Sequence, residues 1–131
     1  TVEYTASTLL DLELHTMKST KGLDIDAFES EILARIGMPS EITPRHRIPH
    51  FQHIIGGYAA GYYSYLWSEV MDADAFLAFV EAGNIFDKKT AGKLKTFIYS
   101  AGNKQDALDA YVAFRGRPPE IEGLLRKRGL T

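Results

Sequence analysis

Apolar residues along this chain recur three and four positions apart, the spacing of one face of an α-helix, and a period of two persists nowhere. That pattern predicts an all-α fold, with residues 1–131 forming one helical unit. The first helix is expected over residues 2–17, with Val2, Leu9 and Leu12 on its apolar face and Leu10, Leu14 and Met17 widening it. A polar break at 18–22 follows. Asp24 or Asp26 then caps a second helix that carries Phe28, Ile32, Leu33 and Ile36. Gly37 ends that helix, and Pro39 forbids its continuation. Residues 38–51 contain Pro39, Pro44 and Pro49 and are expected to be irregular. Four more helices are expected, at about 56–82, 87–99, 106–114 and 120–128. Their apolar faces hold Phe76, Phe79 and Val80, then Leu94, Phe97 and Ile98, then Leu108, Tyr111 and Phe114, and finally Ile121, Leu124 and Leu125.

The third of these helices has unusual content. From His53 the chain reads H-I-I-G-G-Y-A-A-G-Y-Y-S-Y-L-W-S-E, with four of the seven tyrosines and the only tryptophan. On a helix running from Gly57, Tyr58, Tyr62, Tyr65 and Glu69 share one stripe, and Tyr63, Leu66, Trp67 and Val70 are free to face a core. A row of tyrosines is often an interior face near polar neighbours. It is equally a row of hydroxyl donors for a peptide or an oxyanion. Gly56, Gly57 and Gly61 weaken the start of such a helix by about 1 kcal/mol each relative to alanine. Close backbone approach or a mobile helix start would give that cost a use.

Composition narrows the field. Hydrophobic residues at 45% and charged residues at 24% are ordinary globular values, so an ordered domain is expected. A net charge of −2 offers no nucleic-acid footprint. No cysteine is present, which excludes disulfides and thiolate metal sites. No apolar run reaches the roughly 18 residues of a membrane span. His46, His50 and His53 are spaced like zinc ligands on a helix, but Pro49 lies among them, so loop or substrate contact is the stronger reading. No histidine is followed by glutamate, so the H-E-x-x-H signature is absent. The lysines at 88, 89, 93 and 95 read as a solvated face, and Arg115 and Arg117 as capping a helix end.

The long string above, followed by V and then D-A-D-A-F, resembles the thimet oligopeptidase and bacterial peptidyl-dipeptidase family of zinc metallopeptidases. So do T-V-E-Y-T-A-S-T-L-L-D, I-G-M-P-S-E-I, R-H-R-I-P-H-F-Q-H, I-Y-S-A-G-N, F-R-G-R-P-P and L-L-R-K-R-G-L. The resemblance covers essentially the whole chain and leans to the peptidyl-dipeptidase branch. It implies a helical segment from the C-terminal part of a larger, mostly helical zincin-type shell. Zinc would be bound by an H-E-x-x-H helix and a glutamate ahead of Thr1, with no metal ligand in this chain. Thr1 itself suggests a chain cut from something longer. The resemblance further implies a cytoplasmic enzyme that hydrolyses short peptides. Tyr65 would be the oxyanion donor, with His53 and Tyr58 on the substrate; Tyr62, from the tyrosine face, is a further substrate-binding candidate, and Gly56 and Gly57 would allow closure. The upstream part of the same peptidase, or a separate metal-bearing subunit, would be its partner. The alternatives are a non-catalytic helical peptide-binding module and one half of a split peptidase. Self-association is expected of an isolated piece.

Overall fold

The computed structural model describes residues 1–131, which gather into two compact units, 1–66 and 67–131. Helices and turns account for all the regular structure, and no strand is present. The first unit holds α1 (Val2–Thr16), α2 (Ile25–Arg35), a short 3-10 turn (Ile48–His50), α3 (Gln52–Ile55) and the start of α4 (Tyr63–Glu81). The second holds the rest of α4, α5 (Lys88–Leu94), a π-helical turn (Lys95–Tyr99), α6 (Ala107–Arg115) and α7 (Glu122–Lys127).

In the first unit, Asp24 caps α2 by accepting from the Ala27 amide at 3.0 Å, as the sequence predicts. The inner face of α1 differs from the expected one. Val2 is exposed, and the buried positions are Ala6, Ser7, Thr8, Leu10 and Asp11. Three of those five are polar: Ser7 and Asp11 bond backbone groups of distant segments, and Thr8 donates to the Tyr4 carbonyl within α1. Buried polar groups persist only when hydrogen-bonded. Here Ser7 accepts from the His46 amide at 2.8 Å and donates to the His46 carbonyl at 3.2 Å. On α2, buried Glu29 does comparable work, accepting from Arg47 Nε at 2.5 Å and from the Ile48 amide at 3.0 Å. The proline-rich segment is irregular, as expected, yet it is fastened on both sides.

The expected helix start at 56 is not realised. Residues 57–62 form turns, and α4 begins at Tyr63. Glycines at 56, 57 and 61 remove the propensity that would have carried the helix back. Tyr58, Tyr62, Tyr65 and Glu69 therefore share no helical stripe. Glu69 instead pairs with Arg128 and lies 3.7 Å from Lys127. Tyr63 and Trp67 lie exposed, and of the four residues read as core-facing only Val70 is buried.

In the second unit, Asp87 and Asp106 cap α5 and α6, and Gly116 at φ 84° closes α6 with its amide on the Val112 carbonyl. Arg115 and Arg117 do more than cap a helix end. Asp74 is fully buried and accepts from the Tyr111 hydroxyl at 2.6 Å and from Arg117 at 2.7 Å. Arg115 lies 3.4 Å from the same carboxylate and makes a two-pronged pair with Glu81 at 2.6 Å. Burial alone would raise the Asp74 carboxyl, but the Tyr111 and Arg117 hydrogen bonds and the Arg115 charge bring it below its ordinary value. Ile121, expected inside, is exposed, whereas Leu124 is buried.

Candidate functional site

The segment 46–53, the turn over 57–62 and the start of α4 build an aromatic cluster in the first unit. Phe51, fully buried, is its floor. The His46 ring stacks on it at 4.9 Å, and Tyr62 meets it edge-on at 4.8 Å. His53 lies among five rings: His46 at 4.8 Å, Tyr62 at 5.0 Å, Phe51 and Tyr65 at 5.8 Å and Tyr58 at 6.1 Å. Tyr58 and Tyr65 stack at 5.1 Å. The turn over residues 57–62 thus brings together the tyrosines that the sequence had placed on a helix. The Tyr58 amide donates to the His53 carbonyl at 3.1 Å, and the Gly61 amide to the Tyr58 carbonyl at 2.8 Å. These bonds fold the segment back on itself.

Two recesses open on the cluster. One, of about 330 Å³, is lined by Tyr4, Arg45, His46, His53, Tyr62 and Tyr65. The other, of about 300 Å³, is lined by Gln52, His53, Gly56, Gly57 and Tyr58. His53 borders both, and with it all six residues marked by the sequence line one recess or the other. A larger apolar groove of about 410 Å³ runs between α4 and α7 in the second unit, but none of the marked residues reaches it.

The electrostatics favour neutral donors. A hydrogen bond with the Tyr58 hydroxyl, then burial, holds the Tyr65 phenol above its ordinary range. Burial, then the neighbouring Tyr4 phenol, does the same for Tyr62. Both therefore keep their protons at neutral pH and can donate. Burial, followed by His53 and Arg45, lowers His46, which leaves that ring uncharged. The Nδ1 of His53 is sealed from solvent without a hydrogen-bond partner. Tyr65 and Tyr58 are partly exposed.

The histidine trio is not assembled into a metal site. His46 and His53 are neighbours, but His50 points to solvent, and no group of three His, Asp or Glu side chains is positioned to hold an ion. By themselves these residues do not form a zinc-binding set. Sequence reasoning missed Ser7, Asp11 and Glu29, the buried polar residues that hold the loops. Their one signal was their interruption of an apolar helix face, which reads as noise without knowledge of what packs there.

The dipeptidyl carboxypeptidase of Escherichia coli K12 is 37% identical over 98% of this chain, a stretch that is 19% of its own length. Oligopeptidase A of the same organism is 40% identical over 93% of this chain and 18% of its length. A probable cytosolic oligopeptidase A of Arabidopsis thaliana is 40% identical over 92% of this chain and 18% of its length. The chain spans about a fifth of the length of these curated relatives. No helix is long and apolar enough to cross a membrane. The family model of peptidase family M3 matches residues 1–130, and the chain belongs to that family.

Proposed function

We propose that this chain is the C-terminal substrate-binding part of a zinc peptidase that hydrolyses short peptides, with the zinc and general base supplied by residues outside it. The observation that carries the reading is the convergence of His53, Tyr58, Tyr62 and Tyr65 on two adjoining recesses. Attack on a peptide carbonyl puts new negative charge on oxygen. A pre-placed phenol O–H donates more strongly to that oxygen than to the ground-state carbonyl, an effect of about 3 kcal/mol for one donor. Tyr65 takes that role, since it is protonated, partly exposed and anchored in the first turn of α4. Tyr58 and His53 position the substrate backbone, with Tyr62 packing behind them. Gly56 and Gly57 form an open segment able to adjust as peptide enters. The names of the relatives, dipeptidyl carboxypeptidase and oligopeptidase A, favour release of short pieces from peptides.

The test is peptide hydrolysis by the purified 131-residue chain with added zinc, alongside its metal stoichiometry. No turnover and no stoichiometric zinc are expected, while the full protein hydrolyses the same peptide. Turnover by the chain with one zinc bound would overturn the division of labour.

A further inference from the structure

One stripe of α1 faces the site. The Arg45 amide donates to the Glu3 carbonyl at 3.0 Å. Ser7, one turn on, holds both backbone groups of His46. Asp11, one turn further, is fully buried, and its two carboxylate oxygens accept separately from the Ala60 amide at 2.8 Å and the Tyr62 amide at 3.0 Å. The Nδ1 of His15, a turn later again, sits 2.8 Å from one of those oxygens. Ala60 is the sole non-glycine residue at positive φ, 54°, a conformation that an L side chain adopts only when its surroundings impose it.

From this geometry we infer that Asp11 is a positioning residue: its carboxylate sets the 57–62 turn and thereby places the tyrosine hydroxyls. The inference rests on the role given above to Tyr65. Ala60 lies midway between Tyr58 and Tyr62, and both rings bear on Tyr65, at 5.1 and 5.2 Å. Two amide donors ask for two acceptor oxygens. An amide side chain has one, and its NH₂ would confront the second N–H. Asp11→Asn is therefore close in shape but unable to hold the turn, while Phe51, Leu10 and Ala6 keep the surrounding core.

The experiment is made in the full protein with three variants, Asp11→Asn, Tyr65→Phe and the double variant. Steady-state kinetics and peptide-level hydrogen exchange are measured on each. For Asp11→Asn, kcat is expected to fall by about tenfold or more with KM within about threefold. Exchange should accelerate in peptides covering 56–62 and stay unchanged over α2. In the Tyr65→Phe background the Asp11→Asn loss should shrink to about threefold or less, because the two residues act through one group. Unchanged kcat, acceleration spread evenly over the chain, or losses that multiply would each overturn the inference. A Tyr65→Phe protein with full kcat would sink the oxyanion role instead. The exchange pattern and the Asp11→Asn kinetics would still decide whether Asp11 holds the turn.

Discussion

His46 shows how one residue reads its surroundings. Its ring stacks on Phe51, and burial together with His53 and Arg45 lowers its pKa from the ordinary 6.5. The sign follows from proton counting. Below 6.5 an unfolded chain takes a proton that the folded ring still refuses, so the unfolded state gains and stability falls. The contribution is fully present above 6.5 and is lost as pH drops through the folded value. An NMR titration should place the His46 midpoint below 6.5, and a midpoint at or above that value would contradict the packing described. At this scale the sequence was most legible where residue type announces chemistry. The tyrosine-rich stretch after His53 stood out because phenols are rare at such density, and the family resemblance singled out His53, Tyr58 and Tyr65 within it. Asp11, Ser7 and Glu29 did not, because what they bind is backbone distant in sequence, which no local spacing records.

Among the elements, α4 and α7 show how closely helices can be required to approach. A Cβ added at Gly123 would lie 2.9 Å from the Ala73 carbonyl carbon and the Asp74 amide nitrogen. Those are backbone atoms and cannot swing aside. Gly123→Ala should cost about 1–3 kcal/mol by overpacking, read as a lower midpoint in thermal or urea unfolding. An unchanged midpoint would mean that α7 is free to shift. The same region carries the Asp74 cluster. Asp74→Ala would leave Arg115, itself nearly buried, without one of its two carboxylate partners. Loss of about 3–5 kcal/mol is expected from breaking such a buried network. Five of the six expected helices were placed nearly as the periodicity suggested. The start of α4 was misplaced by about seven residues, because a run of aromatic residues at helical spacing outweighed three glycines that argued for a turn. The tyrosines still met, by a route that spacing did not foretell.

At the scale of the whole molecule, apolar surface is conspicuous. Ile55 and Phe86 are each 81% exposed, and Trp67, Phe76 and Tyr99 are also largely bare. Under the proposed reading, the rest of the peptidase would cover these surfaces. Purified alone, the 131 residues should show concentration-dependent association by light scattering, and a strictly monomeric chain at high concentration would count against that view. The central claim concerns chemistry, and steady-state hydrolysis of a short peptide by the full protein carrying Tyr65→Phe tests it most directly. The hydroxyl acts mainly in the transition state, so kcat should fall about 100-fold while KM stays nearly constant. A loss confined to KM, or no loss at all, would contradict the assignment of Tyr65 as the oxyanion donor.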